Sequence, residues 1–165
     1  MDENKLALAA KRQMLRHFLG ALAYRTQKAL RGASEDFGAF SAGGDVRTPA
    51  ELVRHMTSVI GYAQTFFTGG VYRPDPLPTF GEEIERFHRV LAEVSLRLKN
   101  GERLTGLTEE QLLQGQFSDA MTHAGQIAML RRMAGHPVPS ENFIYAKISA
   151  NNVSSSQPEP AVPDE

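Results

Sequence analysis

Residues 79–101, TFGEEIERFHRVLAEVSLRLKNG, decide the fold class. Thr79 and Glu82 stand three apart at the head of the stretch. That is the spacing of a capping box, in which a hydroxyl and a carboxylate satisfy the free amides of a helix start. Ile84, Phe87, Leu91, Val94 and Leu98 follow at alternating intervals of three and four, the period of a seam between packed helices. Asn100-Gly101 then closes the stretch in the manner of a left-handed C-cap. Start, stripe and stop agree on one helix with one face in a core.

The same signals recur on either side. Upstream, Thr48, Pro49 and Glu51 form a second start signature, and Leu52, Met56, Val59, Ile60, Ala63 and Phe67 make the stripe of a helix ending before Gly69-Gly70. Residues 71–78 carry three prolines and cannot be helical. Downstream, Thr108 and Gln111 open a third box, and that helix runs to Gly135-His136-Pro137. An earlier helix over residues 4–30 places Leu8, Leu15, Leu19, Leu22 and Ala29 on one side and leaves Lys11, Arg12, Arg25 and Lys28 for water. Residues 33–47, with Gly38, Gly43 and Gly44, have no period and read as a connection. No convincing segment alternates with period two, and a short extended piece around residues 143–148 is the one candidate. The pattern predicts an all-α four-helix bundle with long inter-helix connections. Links of about fifteen and about ten residues exceed what antiparallel neighbours need, so at least one crossover is expected.

At 165 residues the chain is sized for one domain, here residues 1–150. The tail, residues 151–165 (NNVSSSQPEPAVPDE), lacks large apolar residues and is expected to be disordered. The absence of cysteine excludes disulfides, thiolate ligands and a cysteine nucleophile, leaving His, Asp and Glu as metal donors. The start, MDENK, has no secretory character, and apolar runs fall short of the ~20 residues of a membrane span. A soluble cytoplasmic chain with no membrane partner is expected. A net charge of −1 with scattered basic residues disfavours nucleic acid as a partner. No Gly-rich phosphate loop, HExxH or GxSxG is present.

Chemistry concentrates on the fourth helix. Asp119 and His123, four residues apart, share a face. At ~100° per residue, Gln116, Asp119, His123 and Gln126 form one band bracketed by Leu112 and Leu130, which predicts that the band turns inward. Gln111, Gln114, Ser118, Thr122 and Arg132 are assigned to the water side, and Leu113, Phe117, Ala120, Ala124 and Ala128 to the main apolar side. By spacing alone the commoner arrangement is a surface Asp–His pair worth roughly 0.2–0.5 kcal/mol. His55, on the flank of the second helix's stripe, is the candidate third ligand. Two imidazoles and a carboxylate suit zinc or non-haem iron with positions left open. His17, His88 and His136 are assigned surface roles. Arg131-Arg132 sits where a helix C-terminus favours cations, with binding of a substrate carboxylate as the alternative.

The stretches TPAELVRHM around His55 and FSDAMTHAGQIAMLRRMAGHPVP around His123 resemble the DinB/YfiT-like superfamily of four-helix-bundle proteins, over about residues 5–148. That superfamily includes metal-dependent hydrolases and thiol S-transferases. The resemblance implies a divalent metal ion held by one histidine of the second helix and two residues spaced by four on the last. His55 and His123 match, and Asp119 stands where the family pattern has a histidine. Zinc or nickel is the expected metal, with iron or manganese as alternatives. Gln116 and Gln126 would support the ligands. The implied function is that of a metal-dependent enzyme acting on a small-molecule substrate, by activating either a low-molecular-weight thiol or a water. Neither glutamine titrates and no proton-transfer residue is identified, which favours the thiol. The alternative is a non-catalytic bundle that binds a ligand or a protein. Such bundles often pair through an exposed helix face, so a homodimer is the assembly to test.

Overall fold

The structure is a computed structural model that describes residues 2–161. Four helices make the bundle: α1 (Glu3–Leu30), α2 (Pro49–Thr68), α3 (Phe80–Lys99) and α4. The last is built from three consecutive pieces, α-helical Glu109–Leu112, π-helical Leu113–Phe117 and α-helical Ser118–Met133. All three capping boxes form as the sequence predicts, at Thr48, Thr79 and Thr108. Asp2 caps α1 by accepting from the Asn4 amide.

The directions of the helices follow from their cross-links. Arg12 meets Glu109 near the starts of α1 and α4, and Arg131 reaches the Ala29 carbonyl near their ends, so these two are parallel. Arg54–Glu83 and Gln64–Glu93 make α2 and α3 parallel as well. The Arg16–Ser95 and His55–Asp119 pairings, with Arg12 on the Glu102 carbonyl and Thr105 on the Phe66 carbonyl, set α1 antiparallel to α3 and α2 antiparallel to α4. The bundle therefore runs up, down, down, up. A chain leaving the bottom of α2 must return to the top before α3 begins. The Pro-rich link does this: about ten extended residues at roughly 3.3 Å each match a twenty-residue helix at 1.5 Å per residue. This is the expected crossover. Its Tyr72 ring lies directly on Gly61 of α2, where a Cβ would meet it at 2.1 Å.

Leu19, Leu22, Met56, Ile60, Phe87, Leu91, Phe117 and Ile127 fill the centre with no exposed surface. Four of the five seam residues of α3 are buried and Ile84 is partly so. α1 departs from its reading. Leu8 is exposed, whereas Arg12 and Lys28 are buried against Glu109 and Glu141. A long side chain can follow the apolar stripe with its stem and place its charge on a buried carboxylate, which periodicity alone does not register. His88 is also buried, not at the surface: its Nδ1–H donates to the Val153 carbonyl at 2.8 Å. Residues 143–148 hold a 3-10 turn, Phe143–Tyr145, and the described residues contain no strand.

The composition of residues 151–165 offered no partners, yet the described part, residues 151–161, has them. Arg16 donates to the Ala150 carbonyl and the Asn151 side chain, Arg31 to the Pro158 carbonyl, and the Ala161 amide to Glu141. The binding comes from polar side chains elsewhere in the chain, mostly meeting tail backbone, so an apolar count within the tail misses it. Residues 162–165 of the expected tail lie outside the described residues. Gly20 admits the segment, since a Cβ there would meet the Ser149 carbonyl oxygen at 2.5 Å. Gly20→Ala is expected to lower stability by about 1–3 kcal/mol and to speed hydrogen exchange in residues 149–161, as read by thermal melting and mass spectrometry. Unchanged exchange in that segment would contradict the packing.

Candidate metal centre

His55 projects from the flank of α2, and Asp119 and His123 from successive turns of α4, so the antiparallel pairing of these helices brings all three together. One donor atom from each lies within 4.8 Å of the others. Asp119 Oδ1 is 3.4 Å from His123 Nε2, and Asp119 Oδ2 is 3.9 Å from His55 Nε2. The two imidazole rings meet edge to face at 4.7 Å between centroids.

The hydrogen bonding selects a tautomer. His123 Nδ1 lies 2.7 Å from Gln126 Oε1, and with that oxygen accepting, the ring proton sits on Nδ1. Nε2 then presents a lone pair, is buried, and has no hydrogen-bond partner. It faces a carboxylate oxygen, which is also an acceptor. A shared cation, whether a proton or a metal ion, would satisfy both atoms. His55 is prepared in the same sense. Burial holds its imidazole below the ordinary range, the Arg47 guanidinium and His123 act in the same direction, and Asp119 opposes them. Neutral imidazoles are the form that binds metal.

The donor set fits a divalent ion. A tetrahedral ion with bonds of about 2.0–2.1 Å holds its donors roughly 3.3 Å apart; the Asp119–His123 separation of 3.4 Å matches this, and His55, at 3.9 Å from Asp119, would move inwards to complete the set. Asp119 is 50% exposed and His55 32%, so the outward side of the cluster is open. A cavity of about 590 Å3, lined by Tyr62, Gln114, Gln116, Ser118 and Thr122, adjoins Asp119. A second, of about 560 Å3, adjoins His55 and includes Asp45 and Arg47.

The predicted band is only partly inward. Leu112, Leu130 and His123 are buried, but Asp119 and Gln126 are exposed and Gln116 is half-buried. The π segment accounts for part of this. Its wider turn shifts the phase of α4 upstream of Asp119 and exposes Leu113, while Gln114 keeps the exposure expected of it and also borders the cavity. Ser118 Oγ donates to the Leu113 carbonyl at 2.6 Å, satisfying an acceptor within the wider turn. Gln126 supports His123 as its position suggested, whereas Gln116 lines the cavity without bonding a ligand.

Tyr62 and Arg47 were not among the sequence candidates. Tyr62 sits seven residues after His55 on the same helix face, a signal that periodicity carried; Arg47 sits in an aperiodic loop and gave none. Arg131 is not available to a substrate. It is buried and donates to the carbonyls of Ala29, Arg31 and His136, closing the end of α1. No helix among the described residues is long and apolar enough to cross a membrane. Compared with protein-family models, with curated proteins and with solved structures, the chain has no match.

Proposed function

We propose that this is a metal-dependent helical-bundle enzyme of the DinB/YfiT-like kind, with His55, Asp119 and His123 holding a divalent ion, zinc or nickel first. The observation that carries this reading is His123 Nε2, buried and without a partner at the point where His55 and Asp119 converge. An ion held there supplies Lewis acidity at its open positions, lowering the pKa of a water or a small thiol. The residues do the rest. Gln126 fixes the His123 ring, His55 is kept neutral, and Asp119 contributes charge from the solvent side. The two cavities leave room for a small molecule beside the cluster. The walls near Asp119 provide amides and hydroxyls but no titrating base, which favours a thiol, whose own pKa is already within reach, over water.

Cobalt substitution tests the choice. Adding 2-mercaptoethanol to the cobalt-loaded protein is expected to produce a thiolate-to-cobalt charge-transfer band, and Gln126→Leu is expected to weaken cobalt binding about 10–100-fold. A cobalt spectrum indifferent to the thiol would remove the thiol reading and leave activation of water.

A further inference from the structure

The loop entering α2 carries a cation to the open side of the cluster. Asp45, Arg47, Glu51, Arg54 and His55 wall the cavity of about 560 Å3. Two of these charges are committed to the fold: Arg54 Nε is bound to Glu83 at 2.8 Å, and Glu51 accepts from the Thr48 amide at 2.8 Å. Arg47 forms no ion pair among the described residues. Its guanidinium is near enough to bear on the His55 ring. On the Asp119 side of the cluster, the cavity of about 590 Å3 offers, beyond Asp119 itself, the neutral Tyr62, Gln114, Gln116, Ser118 and Thr122, and no cation. The binding region is therefore polarised, with a free guanidinium at one end, neutral hydrogen-bonding groups at the other and the donor cluster between them.

We infer that the substrate is an organic acid, with its carboxylate taken by Arg47 and its neutral remainder directed towards Tyr62 and Gln116. A planar guanidinium free of partners matches a carboxylate in two parallel hydrogen bonds, which fixes orientation as well as charge. Two carboxylates on that wall, Asp45 and Glu51, have no ion-pair partner among the described residues and oppose the anion; Glu51 caps α2, which leaves Asp45 as the one to vary. It sets the strength of the site from the other side. The inference rests on the metal-dependent reading, because the reacting end of the acid must lie at the cluster.

The test uses protein carrying labelled histidine side chains, titrated first with zinc and then with succinate, with succinamide as the neutral control. Zinc is expected to shift the His55 and His123 imidazole signals alike in wild type and Arg47→Ala. Succinate should then bind the zinc-loaded wild type, bind Arg47→Ala at least about tenfold more weakly and bind Asp45→Asn more tightly, while succinamide does not bind. Equal affinity for wild type and Arg47→Ala, the behaviour of a carboxylate held by the metal alone, overturns the inference and leaves the metal site standing. So does the absence of succinate binding at tens of millimolar. Failure of zinc to move either histidine overturns the metal-dependent reading, and this inference with it.

Discussion

Glu83→Ala is expected to destabilise the fold by roughly 3 kcal/mol, a fall in melting temperature of about 10 °C for a chain of this size. Glu83 is 1% exposed and joins three elements at once. Its carboxylate accepts from Arg54 of α2 at 2.8 Å, from Arg86 of α3 at 2.6 Å and from the Leu77 amide of the crossover at 2.8 Å. Arg86 in turn donates to the Asp75 carbonyl. Removing the carboxylate leaves two guanidiniums and an amide without their acceptor where the crossover re-enters the bundle. Burial pushes the Glu83 carboxyl up, but the Leu77 amide and the two arginines outweigh it and hold the group below its ordinary 4.5. A carboxyl lowered on folding adds stability above its unfolded value, and that stability is lost as pH falls through the lowered one. The gap between wild type and Glu83→Ala should accordingly narrow in acid below about pH 4.5. A constant gap, or one that widens, would contradict this role.

Zinc is expected to raise the melting temperature of wild type and to leave His123→Ala unmoved. An ion that binds only the folded chain stabilises it by about 2.7 kcal/mol at a hundred times its dissociation constant, or roughly 5–10 °C here. His123→Ala removes the most buried of the three donors, and the remaining His55–Asp119 pair is largely open to water. In the absence of zinc the same substitution should cost only the Nδ1 hydrogen bond to the exposed Gln126, about 1 kcal/mol, because Nε2 has no hydrogen-bond partner to lose. The contrast separates a metal ligand from a histidine that merely packs. A zinc response of equal size in both proteins would place the ion elsewhere.

Much of the fold was legible because local chemistry and tertiary packing agree. Each capping box marks a helix start to the residue, and the α3 seam names its own buried face. The up-down-down-up order was legible only as an excess of link length. Its cause lies in pairs such as Arg54–Glu83 that no local pattern announces. The three proposed ligands were readable from a spacing of four on α4 and from a histidine beside a stripe on α2. The structure brings them together without itself supplying a metal. Arg47 and the acceptor-to-acceptor facing at His123 were not readable, since one lies in an aperiodic loop and the other depends on how two helices meet. The π segment was equally hidden. LQGQF carries no residue that forbids an ordinary helix, so its altered phase displaced the expected face of Leu113. The tail misled because its partners, Arg16, Arg31 and His88, are far away in sequence and polar.

The most direct measurement is the metal content of protein purified without a histidine tag and without added metal, comparing wild type with His123→Ala. Near-stoichiometric zinc or nickel in the wild type, and its loss from the variant, is the predicted result. Wild-type protein that carries no divalent metal and takes up none on titration would contradict the site, and the chain would then be a helical bundle that binds without a metal.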